Sequence, residues 1–128
     1  FEISGAAKAA AEAAAAEKAR VEVDRADRAR TLDAEVVAAV KQVTAARARV
    51  GLQDKAIFVA EEAVKVEKQN FIAGRADNFA VMQRQTQLIE ARLRRGRAVT
   101  DYHVAVAQLQ QLSGVLLEQY RVDVRPGR

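Results

Sequence analysis

Cysteine and tryptophan are absent from this chain of 128 residues, and proline occurs once, at Pro126. Without cysteine there is no disulfide framework and no thiol chemistry. Without proline before position 126, no residue ahead of it lacks the backbone donor a helix needs. Aromatics are limited to four Phe and two Tyr, poor material for a thick globular core. No apolar run approaches the roughly 20 residues that a membrane-spanning helix requires. No signal peptide is visible, and the chain begins at Phe1 rather than Met, so it reads as processed or cut from a longer protein.

Chemistry is equally short of candidates. No nucleophile, glycine-rich phosphate loop or oxyanion-type turn is visible, so no catalytic residue and no cofactor are assigned and an enzyme is not expected. His103 is the only histidine and has neither a Cys nor a second His beside it, so no metal site is assigned. It reads as a polar surface or interface residue. The tract Arg92, Arg94, Arg95 and Arg97 resembles a phosphate-binding patch. At about 100° per residue, however, the four spread around a helix. They also have no aromatic residues between them for base stacking. With 21 basic and 17 acidic residues mixed along the chain, the charge suits a solvated helix surface and not a nucleic-acid footprint.

What the chain does have is alanine, the best helix former, and residues at helical spacing. Val36, Val43, Val50, Ile57, Val64 and Phe71 are each seven apart, with Ala39, Ala46 and Ala60 three places on. A row of β-branched residues beside a row of alanines makes a seam for close packing against another helix. A charge at Val50 is therefore expected to be costly. Gln53 and Glu67 interrupt the alanine row, and Gly51 marks either close backbone approach or a weak point. Asp24 with Arg28, and Glu61 with Lys65, are spaced for i,i+4 ion pairs.

The pattern breaks at Ile72-Ala73-Gly74-Arg75-Ala76-Asp77. Gly74 suits the left-handed position that ends a helix, and Asp77 or Asn78 suits the cap that starts the next. A second seven-residue row follows, Val81, Leu88, Arg95, Tyr102, Leu109 and Leu116, with Ala91, Ala98, Ala105 and Leu112 beside it. The chain is thus expected to be all-α, a long antiparallel coiled-coil hairpin. Residues 1–5 are read as a strand end and linker with Ser4 as an N-cap, and 6–71 as the first helix, about 100 Å long. Residues 72–77 are the turn, 78–114 the second helix broken at Gly114, and 115–128 a short helix and tail that Pro126-Gly127 brings to an end. Val37, Phe58 and Val66, with Ile89, Leu93, Val99 and Val106, make an apolar surface too broad for one hairpin to bury, so further helices are expected to cover it.

From Phe71 to Gly114 the chain resembles the TolC-like outer-membrane efflux channel family. The likeness rests on Asn70-Phe71-Ile72-Ala73-Gly74, Asn78-Phe79-Ala80-Val81-Met82-Gln83, Gln87-Leu88, Ala91 and Ala98. It continues in Asp101-Tyr102, Ala105, Gln108-Leu109 and Leu112-Ser113-Gly114. Upstream, Glu61-Glu62-Ala63 and the Ala-rich helix fit less specifically, and Phe1 to Gly5 is similar to the family's strand-to-helix passage. The resemblance implies the periplasmic hairpin of the second repeat of such a channel. The full-length protein would be a homotrimer in the outer membrane whose helices close a periplasmic α-helical barrel. It also implies that the tip, Ile72 to Asp77, docks onto a periplasmic adaptor protein and through it reaches an inner-membrane pump. Arg75 departs from the family's usual apolar or Thr residue. Ala80 and Gln83 stand at the possible channel entrance, where the family often carries aspartates. The competing expectation is a structural coiled coil, or an adaptor hairpin with a scaffolding role. The exported substrate and the type of pump are not legible.

Overall fold

The computed structural model describes residues 2–124, and all of them except the connection 73–77 are helical. Helix α1 spans Glu2–Ile72 and helix α2 spans Asn78–Val124. The described chain separates into two units, residues 1–37 and residues 38–128.

In the first unit every described side chain is exposed except Leu32 and Val36, which are half-buried. Its helix is supported by local terms. Alanine propensity is the main one. Ion pairs Glu17–Arg20 at 3.6 Å and Asp27–Arg30 at 3.0 Å add to it. Exposed pairs of this kind contribute only about 0.2–0.5 kcal/mol each. They are i,i+3 pairs, not the i,i+4 pair expected between Asp24 and Arg28. The expected strand end and linker are also corrected: Ile3, Ser4 and Gly5 lie inside α1, and Ser4 is not its N-cap. One glycine costs a helix about 1 kcal/mol, and the alanines that follow it are the strongest helix formers. Phe1 lies outside the described residues.

The second unit is the hairpin. Among the described residues, three ion pairs cross it: Asp54–Arg95, Glu61–Arg92 at 2.9 Å and Glu67–Arg84 at 3.8 Å. Partner numbers fall on α2 as they rise on α1, so the helices are antiparallel. Counting whole heptads outward from Glu67–Arg84 places Ala60 level with Ala91, Gln53 with Ala98, and Ala46 with Ala105. This alanine row is the centre line of the seam. Ala39, Ala46, Ala91, Ala98 and Ala105 are all buried, Ala46 to 1% exposure. The β-branched row lies beside it: Val43, Val50 and Ile57 are half-buried, and only Val64 is buried. Alanine at the centre lets the backbones approach closely, and the larger side chains close over that line.

Gly51 is exposed, and a Cβ built on it would meet nothing within 4 Å. It is therefore not a point of close approach within the chain. Gly114 does not break α2, which runs on to Val124, so the expected helix boundary at 114 is corrected. Gly114 is flanked by Leu112 and Leu116 and by Ser113, whose hydroxyl donates to the Leu109 carbonyl at 2.9 Å. A single glycine lowers helix stability without ending a helix. The expected tail stop at Pro126-Gly127 falls outside the described residues.

Candidate functional site

The tip is built from two helix ends facing each other across residues 73–77. At the end of α1 the last carbonyls need partners that the helix itself cannot supply. The Gly74 amide donates to the Phe71 carbonyl at 3.0 Å, and the Arg75 amide donates to the Asn70 carbonyl at 2.8 Å. This nested pair of bonds is a Schellman motif with Gly74 at C′. It needs a left-handed backbone there, and Gly74 has φ 71°. It is the only residue with positive φ among those described.

A Schellman motif is usually completed by an apolar contact across the bond. Here a polar pair stands in its place: the Arg75 guanidinium reaches the Asn70 side-chain oxygen at 3.5 Å. The start of α2 is capped by Asp77, whose Oδ1 accepts from the Ala80 amide at 2.8 Å. Of the two cap candidates, Asp77 is the one used. Neither helix has a complementary charge in its own terminal turn at this end. The connection supplies both, Arg75 beside the negative end of α1 and Asp77 beside the positive end of α2. Asp77→Ala is expected to lower the stability of the hairpin by about 1 kcal/mol. The check is a lower urea midpoint with unchanged slope.

The turn falls at 73–77, one residue shorter than expected, because Ile72 completes α1. Ile72, Ala73, Gly74, Arg75 and Asp77 are exposed and Ala76 is half-buried. Ile72 is 84% exposed and Phe79 72%, with Phe71 and Met82 also open. The tip therefore presents several large apolar side chains with one cation and one anion among them. Ala80 is half-buried, its backbone engaged in the Asp77 cap, while Gln83 is exposed one turn further along α2.

The arginine tract has structural work. Arg92 and Arg95 make interhelix ion pairs, and Arg94 pairs with Glu90 at 3.8 Å on its own helix. Glu61, expected to pair with Lys65, turns to Arg92 instead, and Lys65 pairs with Glu62 at 3.7 Å. These pairings were missed in the sequence because they depend on register. With the turn in place, equal steps outward along both helices bring each acid to within two residues of its arginine. Asn70 was missed as a turn residue for a similar reason, since its role depends on where Arg75 goes.

His103 is exposed, its ring 5.6 Å from that of Tyr102. Among the described residues, no three His, Cys, Asp or Glu side chains gather where they could hold a metal ion. No described helix is long and apolar enough to cross a membrane. The arrangement exposes apolar groups on either side of a turn capped at both helix ends. No family model, no curated protein and no solved structure matches the chain.

Proposed function

We propose that this hairpin is the periplasmic part of a TolC-like outer-membrane export channel, and that its tip docks onto a periplasmic adaptor protein. In the full-length trimer, neighbouring hairpins cover the apolar flanks that Leu52, Phe58, Val59, Ile89 and Leu93 leave exposed here. The adaptor joins the channel to an inner-membrane pump. The chain acts by contact, without catalysis, metal or cofactor, and has no nucleic-acid role.

The observation that carries this reading is the exposure of Ile72 and Phe79 on either side of a turn closed by its own backbone bonds at Gly74 and Arg75. These side chains add little to the seam, so their apolar surface is free for a partner. Residues 70–74 and 78–83 are also those in which the family resemblance is densest.

The test is Ile72→Asp in the full-length protein, compared at matched abundance in the outer membrane. A buried apolar anchor at an interface centre typically contributes about 2 kcal/mol or more, roughly 30-fold in affinity. Export of a known efflux substrate is expected to fall accordingly while the isolated hairpin keeps its melting temperature. Unchanged export would favour the structural coiled coil or adaptor-hairpin scaffold instead.

A further inference from the structure

Five residues, 73–77, separate α1 from α2, and only one of them, Gly74, has a positive φ. Ala73, Arg75 and Ala76 are good helix formers, and no proline stands in the connection. The helix stops because Gly74 takes φ 71°, which lets the Arg75 amide turn back to Asn70.

The seven-residue pattern, by contrast, does not stop. Ala39, Ala46, Gln53, Ala60, Glu67, Gly74, Val81, Leu88, Arg95, Tyr102, Leu109 and Leu116 form one unbroken row at intervals of seven. Gly74 itself occupies a place in it. The centre line of the seam follows this row in α1 and passes, in α2, to Ala91, Ala98 and Ala105, three places after it. A shift of that kind is a local change of coiled-coil winding, which a continuous helix accommodates.

We infer that the chain has a second fold, an exchanged dimer, in which residues 73–77 become helical and α1 of one copy packs on α2 of another. Two copies laid antiparallel reproduce every interhelix pairing of the hairpin, including Asp54–Arg95, Glu61–Arg92 and Glu67–Arg84, between chains instead of within one. Gly74 holds the chain in the hairpin. A Cβ there would meet nothing within 4 Å, so a substitution acts through φ alone. Alanine in the left-handed region is disfavoured by about tenfold per chain, and an exchanged dimer relieves two chains at once. Gly74→Ala should therefore raise the dimerisation constant by about 100-fold. Asparagine tolerates the left-handed region, so Gly74→Asn should stay close to the parent. This inference does not rest on the channel reading.

The experiment places a disulfide in the seam. Ala46→Cys and Ala105→Cys are introduced together, since both positions are buried and level, and the chain has no other cysteine. The pair is built on the parent, on Gly74→Ala and on Gly74→Asn. Each chain is refolded at low and high micromolar concentration, oxidised, and weighed under denaturing, non-reducing conditions. Closed hairpins, however they associate, cross-link within one chain. Exchange cross-links two chains.

The expected result is a single-chain product for the parent and Gly74→Asn at low concentration, and a two-chain product for Gly74→Ala that grows with concentration. Single-chain product from Gly74→Ala at every concentration would overturn the inference. So would equal two-chain product from Gly74→Asn and Gly74→Ala, because backbone φ would then not be the control. Failure of all three to cross-link would overturn the register on which it stands.

Discussion

On the proposed channel reading, Gly74→Val in the full-length protein is expected to abolish most export while leaving both helices formed. Valine is β-branched, and at φ 71° its side chain crowds the backbone. The turn must then give up the bonds from Gly74 and Arg75 to Phe71 and Asn70 and take another path. Ile72 and Phe79 would no longer be held in fixed relation, and a docking surface displaced by even a few ångströms loses its partner. The seam lies on other residues and survives. Arg75→Ala should do less, since the guanidinium makes one long bond to Asn70 and stands exposed. A rim charge tunes partner choice and association rate more than affinity. The measurement is susceptibility to an efflux substrate in cells whose mutant and parent channels are equally abundant. Normal export by assembled Gly74→Val channels would reduce the tip to a connection and leave the scaffold reading standing.

Ala46→Asp should have the largest effect on folding. Ala46 is 1% exposed, on the centre line of the seam and level with Ala105. A carboxylate there has neither water nor a cation, and the close backbones leave no room for it. An uncompensated buried charge costs about 3–5 kcal/mol. That is a large share of what a small helical unit has available. Urea unfolding followed by circular dichroism should show the hairpin lost or its midpoint greatly lowered. The same change at Val50 should do markedly less, because Val50 is half-buried and an aspartate there can turn outward to solvent. A smaller loss at 46 than at 50 would mean that the valine row, not the alanine row, is the centre of the seam.

That contrast shows what the sequence reveals and what it hides. Both rows are legible as periodicity, and so are the hairpin and the position of its turn. Which row lies innermost is not, because hydrophobicity ranks valine above alanine whereas close packing of two helices favours the smaller side chain at the centre. The interruptions by Gln53 and Glu67 looked like flaws in the alanine row. Glu67 proves to be opposite Arg84, and Gln53 opposite Ala98, relations that exist only after two distant segments are aligned. The helix ends were misread where local punctuation outweighed continuity. Ser4-Gly5 and Gly114 suggest boundaries, yet a glycine surrounded by strong helix formers merely weakens the helix it sits in. At the tip, the need for glycine at 74 and for an acidic cap at 77 could be read directly, since both are local backbone requirements. The Asn70–Arg75 pair could not, because it replaces an apolar contact with a polar one.

Gly51 and Gly96 also bear on mechanics. Both are exposed and stand inside helices, and the register places Gly51 about one helical turn further from the tip than Gly96, with Asp54–Arg95 close to the height of Gly96. Bending stiffness should be lowest in that girdle, where each arm has a residue that favours the helix least. The girdle is roughly 35 Å from the tip along α1. A flexure of about 10° there swings the tip through roughly 6 Å. Such a joint would let the tip be aimed sideways while the turn keeps its own bonds.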